Sequence, residues 1–258
     1  MSLPVLLTLW LASAPADAAD VVLVSDMTTV HTAAPGQQIR GTLTVRNTGS
    51  EAEQVTLSLQ DYSTRSPSTR DLTPPGTLDR SLASWLTLES ESVRIAPGEI
   101  RELSYDIAVP DSAGLAGSYW SVVMIEETPE PADASGSISI LQRSRIATRV
   151  VVDVSGGTRL VSFVASGLAQ DGDDIALYTD IENTGTSMLA ITPKVELYQQ
   201  DGSRQGVYQS EPVSLYPDCS WRYTVAMPNV PAGDYTAIVV ADGGDGALFG
   251  ARHPVRIE

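Results

Sequence analysis

Ile39-Arg40-Gly41-Thr42-Leu43-Thr44-Val45-Arg46-Asn47-Thr48-Gly49, continuing into Val55-Thr56-Leu57-Ser58-Leu59, is a stretch this chain writes twice. The second copy is Ile175-Ala176-Leu177-Tyr178-Thr179-Asp180-Ile181-Glu182-Asn183-Thr184-Gly185, continuing into Val195-Glu196-Leu197-Tyr198. In the first copy Ile39, Leu43 and Val45 alternate with polar residues, as a half-buried strand requires, and Asn-Thr-Gly turns the chain into a second alternating run. The same punctuation follows each copy. After the first come Ala96-Pro97-Gly98, the alternating Leu103–Ile107, Val109-Pro110 and Gly117-Ser118-Tyr119; after the second come Tyr216-Pro217-Asp218, Trp221–Val225, Val230-Pro231 and Gly233-Asp234-Tyr235. A repeat of about 120 residues built from short strands and turns predicts two tandem β-sandwiches.

The length of 258 residues suits two domains of ordinary size, and with 42% hydrophobic and 19% charged residues the chain can bury two cores. The predicted class is all-β: two tandem immunoglobulin-like sandwiches after a signal peptide. The expected division is residues 1–18 for the signal peptide, 19–154 for the first sandwich and 158–258 for the second, joined at Ser155-Gly156-Gly157. Leu3–Ala12 is an apolar run too short to span a bilayer, which takes about 20 residues, and Ala16-x-Ala18 supplies the small-x-small cleavage pattern. In the first domain residues 61–80 and 126–136 read as long polar loops, and Tyr119–Ile125, apolar without alternation, reads as a central strand buried on both faces. In the second, Leu160–Val164, Asp174–Glu182, Leu189–Tyr198, Val213–Leu215, Trp221–Met227, Tyr235–Val240 and Ala247–Ile257 read as strands.

Composition narrows the function. A net charge of −16 argues against nucleic acid, whose phosphates need a basic surface, and against docking on anionic lipid. Only His31 and His253 are available as imidazoles and only Cys219 as a thiol, so no zinc-type ligand cluster can be assembled and no internal disulfide can form. No Gly-x-Ser-x-Gly surrounds a serine, and the reading is of a protein that is not an enzyme and needs no cofactor. Asp171-Gly172-Asp173-Asp174 and Asp242-Gly243-Gly244-Asp245-Gly246 lack the ligand spacing of a calcium loop and read as turns. Trp85, Trp120 and Trp221 lie in strand patterns and read as core aromatics; Cys219 occupies the place that Glu99 has in the first copy and reads as a small buried side chain.

One constellation is more distinctive. Tyr119-Trp120-Ser121-Val122-Val123-Met124-Ile125-Glu126-Glu127-Thr128-Pro129 is followed by a polar loop and then by Ile138-Ser139-Ile140-Leu141-Gln142-Arg143-Ser144-Arg145-Ile146, with Ile95-Ala96-Pro97-Gly98 upstream. Over residues 80–152 this resembles the periplasmic chaperones of pilus assembly. The resemblance implies two immunoglobulin-like domains set at an angle and a partner, a fibre subunit or envelope component, held by β-strand addition. It further implies partner-binding roles for Ile138, Ile140 and Leu141 on the donor strand. A basic pair would hold the subunit's terminal carboxylate, with Arg145 or Arg149 as one member; the first strand offers only His31 as the other. Localisation in the periplasm or at the cell surface follows, with no integral membrane segment after cleavage. A second likeness, carried by Asn47, Gly49, Asp61, Tyr62, Ser81, Trp85, Pro97, Gly98, Pro110, Gly117 and Tyr119, is to the WxL-interacting surface proteins, and implies binding to peptidoglycan or surface partners.

Overall fold

The computed structural model describes residues 20–128, 144–171 and 174–257. Every regular element among them is a strand. The first half contains β1 (Val21–Leu23), β2 (Thr28–Ala33), β3 (Gln38–Asn47), β4 (Glu53–Arg65), β5 (Thr69–Thr73), β6 (Leu86–Leu88), β7 (Ser92–Ile95), β8 (Ile100–Ala108), β9 (Gly117–Glu127) and β10 (Arg145–Val154). A four-stranded sheet in the order β1-β3-β8-β6 faces a six-stranded one in the order β2-β10-β9-β4-β5, with β7 also on β4. The second half contains β11 (Val161–Asp171), β12 (Asp174–Asn183), β13 (Leu189–Gln199), β14 (Arg204–Gln209), β15 (Val213–Leu215), β16 (Ser220–Met227), β17 (Gly233–Asp242) and β18 (Leu248–Ile257). Here β11-β12-β16 faces β14-β13-β17-β18, with β15 on β13. The architecture is two immunoglobulin-like sandwiches in tandem.

The repeat has a physical core. Asn47 is fully buried; its side-chain amide donates to the carbonyls of Glu51 and Ile95, and its side-chain oxygen accepts from Gly49 N–H. Asn183 repeats the arrangement, donating to Ser187 and Leu215 and accepting from Gly185. The backbones match as well: Asn47 N–H bonds Glu99 O at 3.0 Å and Asn183 N–H bonds Cys219 O at 2.9 Å. Cys219 therefore stands where Glu99 does, just after a turn whose left-handed residue is Gly98 in one copy and Asp218 in the other. A buried amide satisfied at three points staples each Asn-Thr-Gly corner to the Pro-turn strand.

The first core collects Leu43, Val45, Val55, Ile95, Tyr105, Ile107, Val123, Ile125, Val150 and Val152 from both sheets. Gly41 lies opposite Tyr105 on β8, and a Cβ there would come within 2.3 Å of the ring, so the glycine makes room for the tyrosine.

Two sequence expectations change. Residues 61–80 are not one long loop: β4 runs on to Arg65, and β5 returns from Thr69 to Thr73 as a hairpin. The turns beyond β5 are pinned by Asp61, whose fully buried carboxylate accepts from Leu78 N–H at 2.9 Å and the Ser81 hydroxyl at 2.6 Å. The loop expected from Glu126 begins later, because β9 continues through Glu127, which pairs with Val55. In the second sandwich β14 was not anticipated; it is a polar edge strand without an apolar alternation.

Candidate partner-binding site

The site is built around β10. Even-numbered residues of this strand face the first core, where Val150 and Val152 are buried, while Arg145, Ala147, Arg149 and Val151 lie on the outer face. Along one side β10 pairs with β9 over its whole length, from Arg145↔Glu126 to Val154↔Gly117. Along the other it pairs with β2, in parallel, only from Arg149↔Thr28 onwards. Arg149 N–H donates to Met27 O at 3.0 Å, which fixes the parity: backbone groups of odd residues point away from β9. Those of Arg145 and Ala147 consequently point to an edge that carries no strand among the described residues.

Beside that edge lies an apolar groove of about 630 Å³, with Val22, Leu23, Met27, Leu72, Val122 and Ile146 among its walls. Met27 and Leu72 are exposed, as are Val24 and Val30 nearby. The groove runs towards the junction of the two sandwiches, where a second cavity of about 260 Å³ is lined by Tyr62, Thr64, Arg70 and Arg149 from the first and by Val213, Ser214, Tyr216 and Trp221 from the second.

The sequence-predicted residues separate here. Arg149 stands in the cleft, its guanidinium 5.3 Å from the Tyr62 ring centre and 3.0 Å from the Thr28 hydroxyl. Arg145 also lines the groove but is ion-paired with Glu126 at 2.7 Å, so its charge is already matched. His31 is not a cleft cation: its Nε2 meets the Tyr105 hydroxyl at 2.8 Å, and burial pushes its pKa down, favouring the neutral ring. Ile138, Ile140 and Leu141 lie outside the described residues. Trp120 and Trp221 are not single-domain core residues: Trp120 packs at 4.9 Å on Tyr216 across the junction, and Trp221 carries the Arg70 guanidinium at 4.6 Å. Arg70, Tyr62 and Tyr216 are the cleft residues sequence reasoning missed. Arg70 was hidden because Thr69–Thr73 is polar apart from Leu72 and residues 61–80 read as a loop.

Among the described residues no group of three or more histidine, cysteine, aspartate or glutamate side chains could hold a metal, and no helix is long and apolar enough to cross a membrane.

No family model and no curated protein matches the sequence. Solved structures do match in fold. The class 5 fimbriae chaperone CfaA aligns with a TM-score of 0.50 and 10% identity over 92% of this chain and 100% of its own. A chain from a chaperone–tip adhesin complex of CFA/I fimbriae biogenesis aligns with a TM-score of 0.50 and 9% identity over 92% of this chain and 99% of that one. The chain thus has the fold of the two-domain pilus-assembly chaperones.

Proposed function

We propose that this protein is an exported, non-enzymatic assembly factor for surface fibres, working in the periplasm or at the cell surface, and that it holds an incomplete subunit by β-strand addition at β10. The observation that carries this reading is the abrupt end of the β2–β10 ladder at Arg149, which leaves the outward backbone of Arg145 and Ala147 without a strand partner among the described residues, beside an apolar groove. An unpaired edge is an aggregation hazard, and proteins that keep one generally use it. Backbone hydrogen bonds to that edge give affinity without sequence preference, and the groove adds pockets for alternate side chains of the partner. Ile138, Ile140 and Leu141 belong to the proposal through their sequence alone, as anchors extending β10 towards its N-terminus. The outward faces of Arg145 and Arg149 complete the proposed contact.

Ala147→Pro is the discriminating variant. It removes one outward N–H and leaves the inward ladder of Ile146 and Thr148 to β9 intact, a position where proline is tolerated. The wild type, isolated from the envelope of its own cell, is expected to carry a small all-β subunit in equal amount. Ala147→Pro should fold, retain its β circular dichroism and lose that subunit. Retention of the subunit by a folded Ala147→Pro protein would show that the edge is not where it is held.

A further inference from the structure

The ladder between β4 and β9 stops at Gln60↔Val122, well before β4 ends at Arg65. Beyond it Trp120 of β9 turns to another segment: its N–H donates to Arg80 O at 3.1 Å and its carbonyl accepts from Leu82 N–H at 3.0 Å. From Asp61↔Thr73 to Arg65↔Thr69, β4 and β5 therefore pair only with each other among the described strands, as a two-stranded arm that leaves the sheet. Such a ribbon is marginal by itself in water, so its position is set by what it touches. Its tip touches the second sandwich. Ser66 N–H donates to Ser220 Oγ at 2.9 Å, Thr64 N–H to Cys219 Sγ at 3.5 Å, and the Arg70 guanidinium lies 4.6 Å from the centre of the Trp221 ring. Next to Ser66 stands Asp180, buried, which accepts two hydrogen bonds of 2.7 Å from Arg222. Arg222, with the Ser66 hydroxyl adding to it, holds the Asp180 carboxyl below the usual carboxylate range, so it stays charged where the tip docks. The same arm faces the groove beside β10: Tyr62 and Leu72 lie directly opposite each other on it and, with Arg70, line that groove.

From this arrangement we infer that the arm of β4 and β5 is a groove wall set from the second sandwich, with Asp180 and Ser220 as positioning residues for the partner segment. The inference rests on strand addition at β10. Neither Asp180 nor Ser220 lines the groove or the cavity at the junction, so each acts through the arm. With the tip docked, Tyr62 and Leu72 stand where alternate side chains of a segment on the β10 edge would pack. With the tip released, the wall is a lone ribbon held only at its base, where Asp61 accepts from Leu78 N–H and the Ser81 hydroxyl. Binding linkage is reciprocal: if docking of the tip strengthens the hold on a segment, a seated segment strengthens the docking of the tip by the same factor.

The test uses the full mature chain and one probe, the uncharged peptide acetyl-Thr-Val-Thr-Val-Thr-Val-amide, titrated by NMR. In the wild type the peptide is expected to shift the Ser66, Ser220 and Arg222 amide signals, although none of these residues lines the groove. Ser220→Ala and Asp180→Asn should each weaken the peptide by about three- to tenfold, the range that coupling through a packed element gives. Ser220→Ala leaves the Asp180–Arg222 pair intact and is the variant expected to keep its thermal midpoint. In a Leu72→Ala background, where the wall has lost its apolar contact, adding Ser220→Ala should cost little more, because the two changes act on one element. A purely structural role would lower the midpoint of Asp180→Asn, leave peptide affinity unchanged and leave the tip signals unmoved by peptide. Wild-type affinity in folded Ser220→Ala and Asp180→Asn, or losses that simply add to that of Leu72→Ala, overturns the inference. If Ala147→Pro abolishes binding while Ser220→Ala keeps it in full, strand addition stands and the inference alone falls. If Ala147→Pro binds as the wild type does, or the wild type does not bind, both readings fall.

Discussion

Asn47 and Asn183 each satisfy two carbonyls and one N–H inside the protein. Replacing either with alanine leaves those partners buried and unbonded, at a cost of about 1–3 kcal/mol. Asn47→Ala and Asn183→Ala should therefore lower the thermal midpoint by comparable amounts, whereas exposed Gln38→Ala should scarcely change it. Calorimetry of the three variants checks this; an unchanged midpoint for Asn47→Ala would mean the staple is ornamental. These residues were legible because a buried amide at a corner forces a local motif, Asn-Thr-Gly, that survives in both copies. Arg70 and Tyr216 were not. Their roles depend on which rings they meet across the junction of the sandwiches, and no local pattern encodes that. His31 was misplaced for a related reason: alternation shows that two faces exist, not which one meets Tyr105.

At the scale of elements, β2 is held along one side only. It lies at a sheet edge, pairs only with β10, and carries exposed Val30 and Thr32. His31 ties it across the sandwich to Tyr105 of β8, whose phenol burial pushes up to about 12. That tie predicts a pH dependence. In the unfolded chain His31 titrates near 6.5, and in the fold burial holds its pKa lower. Between those two values the unfolded chain binds the extra proton, so stability is complete above 6.5 and falls as pH drops towards the folded value. The thermal midpoint of the wild type should therefore fall more steeply between about pH 7.5 and about pH 5 than that of His31→Gln, which keeps a polar partner for Tyr105 but cannot titrate. Parallel curves would remove His31 from the stability of β2. Most strands were visible in sequence through period-two alternation, including Val213–Leu215. The exceptions, β5 and β14, are short, polar edge strands, each paired in a hairpin with the strand before it but carrying no apolar alternation to mark it.

For the whole molecule the decisive element is β9, apolar on both faces. Its inner face, with Val123 and Ile125, enters the first core, and its outer face presents Trp120 to the second sandwich. The sequence showed a strand buried on both sides; what covers the outer side became visible only once the sandwiches were placed. Trp120 and Val151 pack with Ile181, Leu189, Ile191, Leu215, Tyr216 and Cys219 in a core shared by both halves. The Trp120 indole N–H donates to Tyr62 O at 2.7 Å. Polar ties add to this: Ser118 N–H to Thr186 O at 2.8 Å, Met188 N–H to Ser118 Oγ at 2.7 Å, and Ser66 N–H to Ser220 Oγ at 2.9 Å. The approach at Ser118 demands glycine before it, since Gly117 has φ of 83° and a Cβ there would lie 2.0 Å from Thr186 O. Each polar tie contributes about 0.5–1.5 kcal/mol net, whereas truncating a buried tryptophan costs about 3–5 kcal/mol. The apolar joint therefore dominates, and it makes the two sandwiches one cooperative unit. Wild-type protein should melt in a single calorimetric transition. Trp120→Ala should resolve two, with the second sandwich keeping its β-sheet signal after the first is lost, or the reverse. A Trp120→Ala protein that still melts in one transition at the wild-type midpoint would mean that the polar ties alone couple the halves.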